Sequence, residues 1–510
     1  MHFARVFGAQ PALPQAHIVT VETDMTKGLH AFTIVGLPDK SVAEARDRVA
    51  SAIKNTKVDG EGFQSPKSTN KKIVVSLAPA ELKKEGAVFD VAAALSYLLA
   101  SQQIKFDPKA KLFAGELALD GSLRPIRGAL SIAKAAKEKG YSELYIPVDN
   151  ATEASLVSGI EIFPLIDLEE LVAHLVGTAR ITKYTSVVRK REDDLENALD
   201  DIRGQESAKR ALEIAVAGRH NIALYGPPGT GKTMLARAAT ALLPDLSEDE
   251  SIEVTTIHSL AGALSDRVIT RPPFRSPHHT TSYAAMIGGG SIPRPGEVTL
   301  AHRGILFADE FPEFHRDVVN ALREPLEDRI VSVARAKASQ VYPANFMLIA
   351  ALNPCPCGFW GSERCQCMPH VVERYRRKIS GPIADRIDMW VTVPEIPHEL
   401  LSAKAKRSNG ETKAARERIG AARKTQHKRF SKAKSLTTNA DMRAKDIEAL
   451  AELSEAAETA LIEAAKRLKL SPRGFHRTIK LARTIADLAG EKTIETPHML
   501  EALQYRAREM

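Results

Sequence analysis

The sequence predicts an α/β protein of several domains that ends in a helical region. Short apolar strands alternate with helical patterns over residues 1–178 and again, with different motifs, over residues 200–397. A glycine-rich loop joins a predicted strand to a predicted helix near the middle of the chain. Residues 179–199 are charged and weakly periodic and predict a linker, and residues 398–510 have helical periodicity.

Length and composition indicate a globular protein of several domains. A chain of 510 residues is too long for one core, and two to four domains are expected. Hydrophobic residues make up 44% and charged residues 26%, which is typical of a globular protein in water. The sequence has no apolar run of 18 residues and no secretory signal pattern at its N-terminus. We therefore expect a cytoplasmic protein without a membrane partner.

The positive charge is concentrated in one segment. Residues 401–435 contain 12 Lys or Arg and two Glu, a local charge of +10. The whole chain carries +8, so the other residues together carry −2. Such a segment is typical of a protein that binds a phosphate backbone, and equally of a solvated, lysine-rich helix face.

The stretch NIALYGPPGTGKT, residues 221–233, predicts an ATP-binding loop. An apolar strand enters the loop and a helix leaves it, which is the required context for G-x-x-x-x-G-K-T. Glycines let backbone N–H groups converge on phosphate oxygens. Lys232 is expected to reach the β- and γ-phosphates, and Thr233 to bind Mg²⁺. The predicted nucleotide-binding residues are Gly226, Pro227, Pro228, Gly229, Thr230, Gly231, Lys232, Thr233 and Asp309.

Two further strands supply the remaining parts of a hydrolytic site. GILFADE ends in two acids: Asp309 is expected to orient Mg²⁺ through a water, and Glu310 to act as general base on the attacking water. FMLIAALNP ends in Asn353, whose amide can position that water. Two adjacent acids at a strand end are also compatible with an ordinary helix N-cap.

These segments resemble the Walker A, Walker B and sensor 1 motifs of AAA+ ATPases. The closer resemblance is to the magnesium-chelatase-like branch, and within it to the YifB/ComM family. It spans essentially the whole chain and is carried by GEVTLAHRGILFADEFPEF, ALREPLEDRIVSVARAKASQVYPANFMLIAALNPCPCG and ISGPIADRID. The resemblance implies a P-loop AAA+ core with a helical lid, assembled as a homo-oligomer for which a hexamer is the family expectation. Ala308 departs from the family's more usual Leu, which changes packing and leaves the chemistry intact.

The same resemblance assigns two arginines to catalysis. Arg386, in GPIADRID, matches the arginine finger that reaches the γ-phosphate of a neighbouring subunit. Arg473, in LSPRGFHR, matches sensor 2 and is expected to contact phosphate within its own subunit, with Arg477 as the alternative. For any single arginine, a surface salt bridge is the competing interpretation.

The resemblance also implies a DNA substrate. VSVARAKASQVYPA alternates like a hairpin, with Arg335 and Lys337 near its turn, where they would contact DNA phosphates without reading sequence. An exposed hairpin that carries charge for solubility is the other interpretation. The family is similar to hexameric helicases that promote branch migration in recombination and natural transformation. The alternative is a chelatase-type ATPase that remodels a protein partner.

Two adjacent histidines, His278 and His279, are of a residue type that often binds metals. Adjacent residues of a strand point to opposite faces, so we expect packing or hydrogen bonding instead.

The N-terminal residues resemble the α+β fold of Lon protease domains, which is similar to ribosomal protein S5 domain 2. Lon-type proteolysis needs a Ser nucleophile and a Lys base. Val88 stands at the serine position and Leu130 at the lysine position, so the resemblance implies a fold without peptidase activity. Ser131 and Lys134 lie nearby but in the wrong register.

All four cysteines lie in PCPCGFWGSERCQC, directly after Asn353. Cys355, Cys357, Cys365 and Cys367 form two C-x-C pairs, and four thiolates match a closed, tetrahedral Zn²⁺ site. Two reduced pairs or a labile disulfide are the alternatives. A structural zinc would act as a clip on the loop between Asn353 and the Arg386 segment.

Overall fold

A computed structural model describes residues 2–13, 15–185, 198–264, 268–289, 294–335, 338–396, 410–431, 433 and 436–506. For residues 40, 334, 335, 338 and 339 it describes the backbone. The chain folds into two compact units. Unit 1 comprises Met1–Lys190 and Glu248–Ile269, and unit 2 comprises Arg191–Ser247 and Thr270–Met510.

The first part of the chain contains the following elements. The strands are β1 (Phe3–Gln10), β2 (His17–Lys27), β3 (Ala31–Val35), β4 (Lys57–Val58), β5 (Glu61–Gly62), β6 (Lys71–Ala78), β7 (Lys111–Phe113), β8 (Glu116–Leu117), β9 (Leu123–Arg124), β10 (Glu143–Pro147) and β11 (Glu161–Leu165). The helices are α1 (Lys40–Asn55), α2 (Asp90–Ala100), α3 (Ala129–Glu138), α4 (Val148–Ala154) and α5 (Leu168–Val176), with a 3₁₀ turn at Pro66–Ser68.

The second part continues the numbering. The strands are β12 (Ile222–Tyr225), β13 (Phe274–Arg275), β14 (Gly288–Gly289), β15 (Arg294–Pro295), β16 (Ile305–Ala308), β17 (Ile330–Arg335), β18 (Ala338–Pro343), β19 (Met347–Leu352) and β20 (Met389–Thr392). The helices are α6 (Glu206–Gly218), α7 (Lys232–Leu242), α8 (Glu248–Ala261), α9 (Tyr283–Ile287), α10 (Glu297–Leu300), α11 (Arg316–Ala321), α12 (Arg323–Asp328), α13 (Pro369–Arg376), α14 (Gly381–Ala384), α15 (Glu411–Arg429), α16 (Ala444–Leu450), α17 (Glu455–Leu468), α18 (Pro472–Ala489) and α19 (Thr496–Gln504), with 3₁₀ turns at Phe311–Glu313 and Asn439–Asp441.

Unit 1 is built on two sheets. The larger has the order β1-β2-β6-β3, in which β3 pairs in parallel with β6 and the other pairs are antiparallel. The smaller is parallel, in the order β11-β10-β7. The helix α2 is buried along most of its length and packs on β1 and β2. This mixture of a largely antiparallel sheet and helices is the α+β architecture that the sequence predicts.

The helix α8 belongs to unit 1, although the sequence prediction assigned residues 200–397 to one ATPase core. It packs on α3, where the hydroxyl of Ser259 accepts a hydrogen bond from the backbone N–H of Gly128 at 2.8 Å. Val254 and Ile257 are buried. Tertiary packing of this kind decides which unit a helix joins, and its position along the chain does not.

Unit 2 is organised around a five-stranded parallel sheet in the order β13-β16-β19-β12-β20. All residues of β16 and β19 are buried, as expected for central strands covered on both faces. The helices α15 to α19 form the helical region that the sequence predicts. In α18, Ser471 caps the N-terminus and Gly490 ends the helix with a φ of 79°. Among the described helices, none is both long and apolar enough to cross a membrane.

Candidate nucleotide-binding site

The glycine-rich loop of unit 2 joins β12 to α7. Gly229 and Gly231 have φ angles of 79° and 89°, which glycine adopts without steric cost. A Cβ at Gly226 would lie 2.1 Å from the carbonyl oxygen of Val393, whereas no described atom lies within 4 Å of a Cβ at Gly229 or Gly231. The loop is therefore closed against the sheet and open on its other side. Backbone N–H groups and the α7 N-terminus can receive phosphate there.

Lys232 is the first residue of α7, and its ammonium group turns back over the loop. Nζ donates to the carbonyl oxygens of Gly226 and Pro227, each 2.7 Å away, and to Oδ1 of Asn353 at 3.1 Å. Burial lowers the pKa of Lys232 to about 8, and two nearby carboxylates partly offset this. The ammonium group is thus placed to exchange these oxygens for those of a phosphate.

Two carboxylates follow β16 at the same edge of the sheet, since parallel strands end together. Oδ2 of Asp309 accepts a hydrogen bond from the Thr233 hydroxyl at 3.1 Å. Glu310 is half exposed, and its Oε2 lies 3.2 Å from Nδ1 of His279. Glu310 has a φ of 49°, a left-handed conformation that costs a non-glycine residue about 1–2 kcal/mol. The oxygens of Thr233 and Asp309 are of the kind that Mg²⁺ prefers, so this pair fits a magnesium site.

The edge that carries the glycine-rich loop, Asp309 and Asn353 is called the carboxyl edge below. The opposite, amino edge carries Arg386, which lies between α14 and β20. The side-chain amide of Asn221, the residue before β12, donates to the carbonyl of Arg386 at 3.0 Å. The four residues of β12 span about 13 Å, and that length separates the two edges.

Two arginines share one carboxylate at the amino edge. The guanidinium of Arg386 pairs with Glu327, and Nη2 of Arg473 donates to the other oxygen of Glu327 at 2.5 Å. Burial alone would raise the pKa of Glu327, but the two guanidinium groups outweigh it and lower the pKa. The three side chains line a cavity of about 820 Å³ at this edge.

Arg477 lies one turn after Arg473 on α18 and makes different contacts. Its guanidinium donates to the backbone carbonyls of Ile387 and Asp385 at 2.8 and 2.6 Å. Its side chain is 12% exposed, against 46% for Arg473. Arg477 therefore supports the backbone that carries Arg386, whereas Arg473 shares the Glu327 carboxylate with Arg386. The assignment of Arg473 to a phosphate contact within its own subunit stays a prediction.

The four cysteines come together in space. The Sγ atom of Cys355 lies 3.3 Å from that of Cys357 and 3.9 Å from that of Cys365, and all four sulfurs lie within 4.8 Å of one another. Four thiolates bound at about 2.3 Å to a tetrahedral zinc are about 3.8 Å apart. The four thiols are free and form no disulfide with one another. Their number, chemistry and spacing are compatible with Zn²⁺.

The cysteine loop packs directly on the glycine-rich loop. The backbone N–H of Gly358 donates to the carbonyl of Cys355 at 2.9 Å and closes a turn with a φ of 87°. A Cβ on Gly358 would lie 2.5 Å from Cδ of Pro228. The sequence prediction of a clip between Asn353 and Arg386 did not include this contact, which ties the cluster to the phosphate-binding loop itself.

The predicted DNA contacts lie outside the described side chains. The strands β17 and β18 form the antiparallel hairpin that the sequence predicts, with Ile330 opposite Pro343. The side chain of Arg335 and the whole of Lys337 fall outside the described residues, as do residues 401–409 of the basic segment.

The described part of the basic segment, α15, uses several charges to pack. Nε of Arg418 donates to Glu213 at 2.6 Å. Nη2 of Arg423 donates to the carbonyl of Val216 at 2.7 Å, and Arg429 forms an ion pair with Asp487. These arginines attach α15 to α6 and α18. The net charge of the segment is therefore a weaker indication of nucleic-acid binding than composition alone suggests.

Comparison with known proteins gives matches along most of the chain. The family models described as subunit ChlI of Mg-chelatase, magnesium chelatase subunit ChlI, and its C-terminal region match residues 21–150, 198–401 and 409–506. The competence protein ComM of Haemophilus influenzae is 42% identical over 514 residues, which are 99% of this chain and 98% of that protein. YifB of Escherichia coli, an uncharacterized protein, is 42% identical over 494 residues, 96% and 94% of the two chains. The chain belongs to the YifB/ComM family.

This membership confirms the resemblance and the fold class that the sequence predicts. YifB/ComM proteins are magnesium-chelatase-like AAA+ proteins, and this family implies an ATPase that uses ATP and Mg²⁺. The glycine-rich loop, Thr233 and Asp309 are the parts of this chain that fit those two partners.

Unit 1 of this YifB/ComM protein has its own relatives. Lon protease 2 of Bacillus subtilis is 31% identical over 191 residues, which are 33% of this chain and 35% of that protein. Val88 and Leu130, which the sequence analysis assigns to the positions of the Lon-type serine and lysine, are 5% and 0% exposed. The hydroxyl of Ser131 donates to the carbonyl of Gly128 at 2.8 Å, while Lys134 is exposed to solvent. These two residues do not meet as a dyad.

Sequence reasoning missed Glu327 and the contact of Gly358. Glu327 lies in ALREPLEDR, which carries the family resemblance but has no motif that indicates chemistry. It meets Arg386 across 59 residues and Arg473 across 146, separations at which no local pattern predicts a pair.

Proposed function

We propose that this protein is a ring-forming motor that hydrolyses ATP while acting on DNA, as a helicase or branch-migration factor in recombination or natural transformation. The convergence of Lys232, Thr233, Asp309 and Asn353 at the carboxyl edge is the observation that carries the ATPase part. The DNA part rests on the family and on the hairpin β17–β18.

In this proposal each subunit contributes one half to each of two ATPase sites, which it shares with its two neighbours. The carboxyl edge binds nucleotide, and the amino edge presents Arg386 and Arg473 to the nucleotide of the next subunit. A head-to-tail interface of this kind closes into a ring when its rotation allows, and a hexamer is the family expectation. The Glu327 carboxylate supports the idea, because it is an anion that both guanidinium groups already hold. A γ-phosphate would replace it.

Hydrolysis then follows from the positions of five side chains. Lys232 leaves its carbonyl partners for the β- and γ-phosphates, and Thr233 and Asp309 would hold Mg²⁺, Asp309 through a water. The metal, when bound, neutralises charge on the phosphates. Glu310 accepts a proton from the attacking water, which Asn353 orients through its amide. In the transition state the arginines of the neighbour meet the charge that develops on the γ-phosphate.

The cysteine cluster has a structural role in this proposal. Cys355, Cys357, Cys365 and Cys367 would hold one Zn²⁺ with every position filled by protein, so the metal takes no part in the reaction. The support is the spacing of the sulfurs and the packing of Gly358 on Pro228. Zinc would fix the cysteine loop and, through it, the shape of the glycine-rich loop.

The DNA substrate is supported by less direct observations. A hairpin beside the catalytic strands can reach the pore of a ring, and Arg335 and Lys337 near its turn are proposed to contact phosphates. The Haemophilus influenzae relative is named a competence protein, and uptake of DNA for transformation suits the proposed activity. Binding is expected to be independent of sequence and to weaken with salt. ATP and DNA are both available in the cytoplasm, the location that the sequence predicts.

We propose no peptidase activity for unit 1, because Val88 and Leu130 offer neither nucleophile nor base and both are buried. Unit 1 would serve DNA binding or ring assembly.

The proposal is tested by the ATPase rate of the full chain without DNA, with single-stranded DNA and with a four-way junction. We expect the rate to rise several-fold with at least one DNA. Glu310→Gln is the matched control, because it should still bind DNA while its ATPase rate falls by about a hundredfold or more. If no DNA raised the rate and no gel shift appeared at low salt, the chelatase-type alternative, remodelling of a protein partner, would be favoured.

A further inference from the structure

The histidines His278 and His279 have no role in the site as described so far. The sequence prediction treated them as neighbours on a strand that point to opposite faces. In the structure β13 ends at Arg275, and the two histidines follow it outside any strand. Their rings lie together instead, with centroids 4.1 Å apart and planes inclined by 34°. The expectation of opposite faces is therefore wrong, and the expectation of hydrogen bonding becomes specific.

The two rings have different partners. Nδ1 of His279 lies 3.2 Å from Oε2 of Glu310, which is an ion-pair distance when the imidazole is protonated. Nδ1 of His278 lies 2.8 Å from the hydroxyl oxygen of Thr280 and 3.4 Å from its backbone nitrogen. His279 is therefore the ring turned toward the acid, and His278 is held by its own loop.

We propose that His279 is a positioning residue that holds the proposed general base, Glu310, in its reactive orientation. The inference rests on the proposed function of Glu310. The Glu310 carboxylate has its ion-pair contact with His279. Glu310 has several rotatable bonds and a half-exposed side chain, so without this partner its carboxylate samples many directions. A base that is only sometimes aimed at the water loses rate in proportion.

The geometry also explains why the contact does not block the reaction. His279 occupies Oε2 of Glu310, which leaves Oε1 as the oxygen that accepts the proton of the attacking water. The ring of His278 packs against His279 on one side and limits its rotation. His279 never touches the nucleotide or the water in this arrangement, and it acts through Glu310.

The test compares three substitutions of His279 in the full-length protein. His279→Ala should lower kcat for ATP by about tenfold while KM and the binding of a fluorescent ATP analogue change less than about twofold, because the base is lost and the binding loop is not. His279→Asn should recover most of that loss, since its amide nitrogen stands near the position of Nδ1 and can donate. His279→Gln should recover less, because its amide nitrogen reaches toward the position of Nε2.

Two further variants separate this inference from the function on which it rests. His278→Ala is the matched control: it removes a ring of the same size that does not contact Glu310, and kcat should fall less than in His279→Ala. Adding His279→Ala to Glu310→Gln should cause no further loss.

Equal rates for the Ala and Asn variants, or an unchanged rate for His279→Ala, would overturn the positioning role. A higher rate for His279→Ala would also overturn it and would make His279 a restraint on Glu310. If Glu310→Gln itself hydrolysed ATP at the normal rate, the general-base role of Glu310 would be wrong. A slow Glu310→Gln variant with an unchanged His279→Ala variant would instead refute only the positioning role of His279.

Discussion

The two edges of the ATPase sheet differ in what each can do alone. The carboxyl edge brings Lys232 into a hydrogen bond with Asn353 and Thr233 into a hydrogen bond with Asp309. The amino edge brings Arg386 and Arg473 together around one acid, Glu327, and the glycine-rich loop lies at the other edge. The carboxyl edge has the residues that bind a nucleotide but not the arginines. The amino edge has the arginines but not the residues that bind a nucleotide.

Under the proposed function, the difference makes a single subunit an incomplete catalyst. The strand β12 separates the backbone of Arg386 from the glycine-rich loop of its own chain by about 13 Å. In the proposed ring the amino edge of one subunit faces the carboxyl edge of the next, and that interface supplies both halves. Substitutions at the two edges should therefore fail in different ways.

The largest effect is expected at the carboxyl edge. Lys232→Ala removes the ammonium group that meets the β- and γ-phosphates, so ATP affinity should fall by roughly a hundredfold or more, and hydrolysis with it. Binding is measured by calorimetry and hydrolysis by phosphate release. Lys209→Ala, which removes a lysine ion-paired with Glu411 elsewhere in unit 2, is a control that should still bind ATP. Normal ATP affinity in Lys232→Ala would contradict the assignment of nucleotide binding to the carboxyl edge.

At the amino edge, binding and hydrolysis should separate. Arg386→Ala should lower kcat by about a thousandfold and leave ATP affinity nearly unchanged, because the arginine meets charge that develops in the transition state. Arg473→Ala should follow the same pattern with a smaller loss. If Arg473→Ala instead weakened ATP binding in a form that does not assemble, Arg473 would act within its own subunit, as the sequence predicts.

The cysteine cluster should give the smallest effect on catalysis. Cys355→Ser should lower bound zinc from about one per chain toward zero and the melting temperature by about 5 °C, because metal binding stabilises the folded loop. Since Gly358 packs on Pro228, KM for ATP should rise as well. Ser362→Ala lies in the same loop without being a ligand and should change neither. A wild-type protein without zinc, with Cys355→Ser unaltered in stability and ATPase rate, would contradict the zinc proposal.

Features that depend on neighbouring residues were predictable from the sequence. The loop from Gly226 to Thr233, the acids after β16 and the cysteine spacing are short patterns whose chemistry is local. The hairpin β17–β18 and the helix α18 were also predictable, because alternation and capping residues define them. The fold class followed from these patterns together with the family resemblance.

Features that depend on distant contacts were not predictable. Glu327 meets Arg473 across 146 residues, and Ser259 meets Gly128 across 131. The first contact places Arg473 beside Arg386, and the second places α8 in unit 1. Neither follows from periodicity, since a helix presents the same apolar face whichever body it packs against. The role of His279 was missed for a related reason, because a strand was assumed where none forms.

The central claim is that the two edges act on one nucleotide only across a subunit interface. Lys232→Ala and Arg386→Ala, each inactive alone, test it when mixed. A Lys232→Ala subunit followed by an Arg386→Ala subunit has an intact arginine facing an intact loop, so random mixing in a ring should restore about a quarter of the interfaces. We expect the ATPase rate of the mixture to rise well above that of either variant. A mixture that co-assembles, as seen by pull-down of differently tagged subunits, and yet stays inactive would contradict the account.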